Sequence, residues 1–478
     1  MQKSLVKNSI FNIIYTVANI LFPFVTSVYV SRILLPAGVG KVAAAQNLAS
    51  YFVTLAALGL PSYGVREFAK VREDEKRKNS LFTELITLNL ISTTVAVVAY
   101  AAFLIYNNGF KGEWALYICC GLTICFNYLN IDWIYQGLEE YGYITVRSIV
   151  IKLLSLVLLF VFVRSRKDYV AYALLTSLAL GGNYIFNVIH ARKMVRFSFE
   201  NLNIKRHIKP VLYIAGIIFM STIYNKVDVT MLNVLATDEA IGFYSYSQKT
   251  VNIVLTICSA VTATLLPRLS YCYENDKDGF YKLLDKGFQI LCLAVGPLTI
   301  GLLLVADQAV LLLYGSEFLP SGLTIKLMCP LIIIKGFGDL LCYQLAYSSK
   351  NERILLPASA LASVLNIIAN AILIPMFAQN GAVIASVLSE FTTNIIQLIY
   401  LKKKVKYSFR LKSVAISVVS TTVMALVVSF AMRFEFSLII AMFFEVLLGA
   451  VSYLVINIAL HNQILYELLD KVKDKIKR

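Results

Sequence analysis

Apolar stretches with few charges recur along the whole chain, each followed by a short polar and often basic connection. A helix that crosses hydrocarbon needs roughly 20 predominantly apolar residues. At that length the pattern predicts about fourteen spans: 8–33, 40–61, 81–106, 114–136, 144–163, 169–190, 211–235, 240–266, 286–307, 324–346, 353–376, 381–401, 413–432 and 437–460. Only about 200 residues then remain for some fifteen tails and connections, too few per connection for a soluble domain. The apolar stretch from Ile10 to Leu35 is too long for a signal peptide and no small-residue cleavage site follows it, so it reads as the first span. Pro23 is expected to kink that helix.

Composition agrees with the pattern. Of the 478 residues 58% are hydrophobic and 15% charged, and the mean hydropathy is +0.72, which excludes a water-soluble globule. A net charge of +16 would point to nucleic acid in a soluble protein, but here it points to membrane orientation, and no nucleic-acid partner is expected. With the N-terminus in the cytoplasm, the basic connections 66–80, 190–210 and 402–412 and the tail from His461 all fall inside. About 33 of the 44 Lys and Arg then lie on the cytoplasmic side, both termini among them, and the connection 164–168 (RSRKD) is the local exception. The eight cysteines read as small buried hydrophobes, not a disulfide framework. His190, His207 and His461 form no metal pair by spacing, and no phosphate-binding loop or catalytic signature is present. Neither catalysis, a metal nor a cofactor is expected.

An internal repeat is visible. Gly40-x5-Gln46 opens the second span and Leu60-Pro61 is expected to close it; Gly242-x5-Gln248 opens the eighth and Leu266-Pro267 is expected to close it. Arg66 and Arg268 follow at the same offset. Both copies run inward, which predicts parallel halves. The expected division is 1–205 and 206–405, six spans each, with 406–478 adding two spans and a basic tail.

Polar groups inside a membrane are costly and therefore usually functional. Charges at depth are Glu84, Asp132, Lys152, Lys226, Asp228, Lys249, Lys326, Lys335, Asp339, Glu390 and Glu445, with Arg32 and Arg147 near span ends. Lys335 and Asp339, four apart on one helix face, are expected to pair. Glu445 is expected to anchor the last two helices. Lys226 and Asp228, two apart, need separate partners. Polar stripes run along Asn8, Asn12, Asn19 and Thr26 of the first span, Gln248, Asn252, Thr256 and Ser259 of the eighth, Ser359, Ser363, Asn366 and Asn370 of the eleventh, and Ser386 to Gln397 of the twelfth. A single stripe is often glue between helices. Stripes in both halves suggest two bundles facing a hydrated cavity, and Arg32, Lys226 and Lys249 would draw anions, phosphate above all, into it.

Several segments together carry a family likeness. They are 31–47 (SRILLPAGVGKVAAAQN), 58–72 (LGLPSYGVREFAKVR), 132–148 (DWIYQGLEEYGYITVRS), 242–253 (GFYSYSQKTVNI), 266–270 (LPRLS) and 306–322 (ADQAVLLLYGSEFLPSG). With them the chain resembles the bacterial polysaccharide repeat-unit flippases, the O-antigen and capsule type of the multidrug/oligosaccharidyl-lipid/polysaccharide exporter superfamily. The resemblance implies an all-α inner-membrane protein of about fourteen helices, two six-helix lobes in a V plus two C-terminal helices. It also implies transfer of an undecaprenyl-pyrophosphate-linked oligosaccharide to the outer leaflet by alternating access coupled to H+ or Na+, in company with a polysaccharide polymerase and chain-length proteins.

On this reading Arg32, Arg147, Lys226, Lys249, Asn12, Asn19, Gln248, Asn252, Asn366 and Asn370 are the expected substrate contacts. Asp228, Asp339 and Glu390 are the expected ion-coupling groups. Two other readings stay open. A cation-coupled multidrug exporter of the same superfamily would need an acidic cavity. A repeat-unit polymerase or membrane glycosyltransferase would need a sizeable catalytic loop, which the span map does not provide.

Overall fold

The computed structural model describes residues 5–200, 202–405, 407–434 and 436–476, with side chains at all of these except 5–10, 12, 13, 17, 20, 110, 111, 261, 411 and 471–476. It is helical throughout and packs as two compact units, Met1–Gly242 and Phe243–Arg478. A chain in hydrocarbon must satisfy its backbone N–H and C=O groups internally, and uninterrupted apolar runs do so as helices.

The first unit opens with α1 (Leu5–Ala57), which covers the first two predicted spans. Its break lies at Leu35 (φ 58°, ψ 175°), not at Pro23. Pro36 disfavours helix at the residue before it, and there the chain also turns back; at Pro23, in mid-span, lipid offers no alternative to the helical ladder. Then follow α2 (Leu60–Val71), α3 (Glu75–Tyr106), α4 (Asn108–Gly112), α5 (Trp114–Phe126), α6 (Asp132–Gly137), α7 (Tyr141–Phe162), α8 (Tyr169–Ala191) and α9 (Lys205–Leu235). α10 (Asp238–Ala263) carries the chain into the second unit, which continues with α11 (Leu266–Asn275), α12 (Lys277–Tyr314), α13 (Pro320–Gly338), a π-turn over Asp339–Gln344 and α14 (Leu345–Ser348). It ends with α15 (Leu355–Phe377), α16 (Gln379–Lys404), α17 (Leu411–Ala431), α18 (Leu438–Ala459) and the amphipathic α19 (Gln463–Ile476).

Ten helices among the described residues are long and apolar enough to cross a membrane by length and composition, with Ile14–Val71 counted as one. The chain is an all-α polytopic membrane protein. The fourth, eighth and tenth predicted spans are not among the ten. The fourth stops at Leu129, and α6 is a separate short helix. Side chains of α3 support that break: Asn89 Nδ2 donates to the Asn127 carbonyl (2.8 Å), and Asn127 Nδ2 donates to Thr93 Oγ1 (2.8 Å). The eighth is diluted by Gln248, Lys249 and Asn252, and in the tenth α13 gives way to the π-turn at Asp339.

Leu60-Pro61 and Leu266-Pro267 do not close spans. Each opens a short amphipathic helix, α2 or α11, with proline in the first turn where its missing N–H costs nothing. In each unit an aspartate then caps the next long helix: Asp74 Oδ1 accepts from Arg77 N (3.0 Å), and Asp276 Oδ1 accepts from Gly279 N (2.9 Å). Asp74 and Asp276 are separated by the same interval as Gly40 and Gly242, so the repeat extends through the caps.

The two repeat glycines allow close backbone approach within the first unit. A Cβ at Gly40 would stand 1.7 Å from the Asp238 carbonyl oxygen, and one at Gly242 would stand 2.2 Å from that of Pro36. Gly40→Val and Gly242→Val are each expected to destabilise the protein by about 1–3 kcal/mol, read as a lowered thermal midpoint of the purified protein. Gly216→Ala, where a Cβ meets nothing within 4 Å, is the comparison expected to leave the midpoint unchanged or raise it.

Candidate functional site

In the first unit, the second half of α1 packs along α9 through hydroxyl and amide groups. Asn47 Nδ2 donates to Thr230 Oγ1 (2.8 Å), the Tyr51 hydroxyl meets the same oxygen (2.8 Å), and Thr54 meets Thr222 (3.3 Å). Thr222, Lys226 and Thr230 are spaced by four on α9, so Lys226 shares their face. Its carbonyl accepts from Asn47 Nδ2 (3.3 Å) and from Thr230 Oγ1 (3.0 Å). Among the described residues its half-buried ammonium has no carboxylate at ion-pair distance. Asp228, two residues on, is buried and partnered elsewhere. The sequence reading missed Asn47, Tyr51 and Thr230; the signal was the i, i+4 spacing of threonines about Lys226.

Other expected contacts of this unit are spread out. Arg32 is exposed on α1, just before the break. The Asn19 amide oxygen accepts from Lys152 on α7. The side chain of Asn12 lies outside the described residues. Arg147 is buried, and its guanidinium donates to Asp132 (3.3 Å) and to Asn187, fastening α7 to α6 and α8.

In the second unit the α10 stripe faces away from the packed interior. Asn252, Thr256 and Ser259 are exposed and Gln248 is half-buried. Lys249 stands beside them with its ammonium 4.5 Å from the centre of the Tyr246 ring, and among the described residues it too lacks a carboxylate partner. A polar helix face left uncovered suits water or a polar ligand and not acyl chains.

Asp339, Glu390 and Glu445 of this unit each have a protein partner. Lys335 does not pair with Asp339; it pairs with Glu390 of α16 at 2.8 Å. The π-turn beginning at Asp339 widens the helix, and the Asp339 carboxylate accepts from Thr262 of α10 and from Gln344 (3.2 Å). Asn366 and Asn370 are buried. Asn370 donates to Asn366 (3.0 Å) and Asn366 to Ser389 (3.4 Å), a ladder joining α15 to α16. Glu445 accepts from Gln308 (3.0 Å), so it ties α18 to α12 and not to α17.

The most enclosed ionic cluster lies in the first unit, where α2, α3 and α9 meet. Glu84 is fully buried; Oε2 accepts from Arg206 (2.9 Å) and lies 2.8 Å from His207 Nε2, and Oε1 accepts from the Asn203 backbone N–H (2.7 Å). The far nitrogen of His207 meets the Tyr63 hydroxyl at 2.6 Å. At the start of α5, Glu113 binds Lys41 (2.5 Å) and accepts from the Tyr169 hydroxyl (2.8 Å). Burial pushes the Glu113 carboxyl up, but these two partners outweigh it and hold it below the usual carboxylate range.

The long apolar helices thus keep Asp132, Asp339 and Glu390 engaged within the protein, while among the described residues Lys226 and Lys249 have no carboxylate at ion-pair distance. Solved structures share the architecture. The "Lipid II flippase MurJ, inward closed conformation" matches at TM-score 0.68 with 16% identity, over 93% of this chain and 100% of the other. An inward-facing "multidrug resistance MATE family transporter of the MOP superfamily" matches at TM-score 0.62 with 13% identity, over 80% of this chain and 94% of the other. The chain belongs to the family described as "Polysaccharide biosynthesis protein", whose model matches residues 5–272. It is also 20% identical to the "Putative O-antigen transporter" of Escherichia coli (strain K12) over 410 residues, 84% of this chain and 97% of that protein.

Breaking the buried cluster is expected to be costly. Glu84→Gln removes the buried charged acceptor shared by Arg206, His207 and the Asn203 N–H and should destabilise the protein by about 1–3 kcal/mol. Glu274→Gln, in an exposed pair with Lys350, should leave the unfolding midpoint nearly unchanged. Thermal or denaturant unfolding of the two purified variants separates these outcomes.

Proposed function

We propose that the protein is a flippase that moves an undecaprenyl-pyrophosphate-linked oligosaccharide repeat unit across the bacterial inner membrane for a surface polysaccharide of the O-antigen or capsule type. The observation that carries this reading is the pair of lysines at depth, Lys226 and Lys249, each beside polar groups on a membrane-length helix and each without a carboxylate partner among the described residues. An unneutralised cation in a low-dielectric wall favours an anion, and a pyrophosphate carries the charge that such a site needs. The family and the O-antigen transporter relative support the same substrate class.

In the first unit the proposed pyrophosphate contact is Lys226, with Arg32 nearer the end of its span; in the second it is Lys249, with Gln248 and Asn252 as sugar contacts. Arg147, Asn366 and Asn370 take a positioning role, since Arg147 donates to Asp132 and Asn187, Asn370 to Asn366, and Asn366 to Ser389. Asp228, Asp339 and Glu390 are the proposed groups for H+ or Na+ coupling in alternating access. The basic connections support a cytoplasmic position for both termini. No catalytic step is assigned to any residue. A cationic drug is the poorer substrate, because Glu390 is paired with Lys335 and Asp339 is bonded to Thr262.

Lys226→Ala and Lys249→Ala are each expected to reduce surface polysaccharide in cells at unchanged protein level, and to weaken binding of a prenyl-pyrophosphate sugar at least about tenfold. Arginine at either position should restore binding in part. Normal polymer with both lysines replaced by alanine would overturn the assignment.

A further inference from the structure

A second basic site lies outside this set, within the first unit. The connection that leaves α8 is fixed along the start of α3 by hydrogen bonds. Arg196 N donates to Asn79 Oδ1 (2.8 Å), Ser198 N to Thr83 Oγ1 (2.9 Å), and Ser80 Oγ to the Glu200 carbonyl (3.1 Å). Between the connection and the helix is a recess of about 490 Å³ whose lining includes Lys78, Arg192, Lys193 and Arg196 against a single carboxylate, Glu75. Lys78 is 6% exposed, and its ammonium lies 2.5 Å from Glu75 Oε1.

The charge count of such a connection follows from membrane orientation. Orientation does not require the charges to converge on one recess, nor does it explain the aromatic residues beside them. Phe197 rests its ring against the buried Phe82 of α3 (ring centres 5.1 Å), yet Phe197 and Phe199 remain 62% and 79% exposed beside the recess. The recess begins one residue after α8 ends and faces the first turns of α3, so it sits at the level where membrane-length helices emerge. Cations at that depth with outward-facing aromatic rings match the boundary between phosphate head groups and acyl chains.

We propose that this recess binds the phosphate of an anionic phospholipid, with Arg192, Lys193 and Arg196 around the phosphoryl oxygens and Phe197 and Phe199 against the upper acyl chains. Arginine forks suit phosphate geometry, and the fixed connection presents them without further ordering. Among the described lining residues Glu75 is the one carboxylate, and it also occupies Lys78. The site is independent of the transported substrate and of the two lysines assigned to it.

The test uses the full-length protein in detergent, titrated with dioleoylphosphatidylglycerol, dioleoylphosphatidylcholine or inorganic phosphate, and read by native mass spectrometry and thermal midpoint. Phosphatidylglycerol is expected to be retained and to raise the midpoint, whereas phosphatidylcholine at the same concentration is not. Arg192→Ala with Arg196→Ala should weaken retention roughly thirtyfold. Phe197→Ala with Phe199→Ala should weaken it less, and Glu75→Gln should tighten it. Lys402→Ala with Lys403→Ala, which removes two exposed charges from the end of α16, should leave it unchanged. Equal loss in the Arg192/Arg196 and Lys402/Lys403 variants would show diffuse attraction and overturn the proposal. So would a midpoint raised by inorganic phosphate but not by phosphatidylglycerol.

Discussion

A polar atom in hydrocarbon must find a partner or draw in water, and every informative feature of this protein follows from that constraint. Most polar side chains at depth are answered locally: Arg147 by Asp132 and Asn187, Lys335 by Glu390, Asp339 by Thr262, and Asn370 by Asn366. These contacts hold helices together where apolar packing gives little advantage over lipid. Against that background the exposed α10 stripe and the two lysines stand out. Neither lysine has a carboxylate at ion-pair distance among the described residues, which sets them apart from Lys335 and Arg147.

Much of the architecture could be read from the order of residues. Helix content and most span limits follow from apolar run length, because the membrane fixes both the form and the minimum length of each element. The repeat was visible in Gly40 and Gly242, and the structure gives it physical content: a backbone contact at each glycine and an aspartate cap at each following helix. The meaning of Leu60-Pro61 was less legible. A proline after an apolar run marks an end and a beginning equally well, and only the amphipathic spacing of the residues beyond it decides for a helix start.

Side-chain partners were the least legible part. The Lys335–Asp339 pairing assumed a regular helix, but the π-turn at Asp339 changes which side that carboxylate presents, and Glu390 from another helix takes its place. Glu84, Arg206 and His207 are distant in sequence and meet only because α2, α3 and α9 converge. No periodicity within one helix reports such a meeting. By contrast, the threonines four residues either side of Lys226 were a one-helix signal, and reading them would have located the α1–α9 seam.

The π-turn has a mechanical consequence. One extra residue in the ring of backbone bonds rotates everything after it relative to everything before it, so Lys335 and Asp339 can engage α16 and α10 respectively from a single rod. Such a turn is a local defect held in place by the contacts on either side of it. If one contact is lost, nothing on that side fixes the extra residue at this position of the helix.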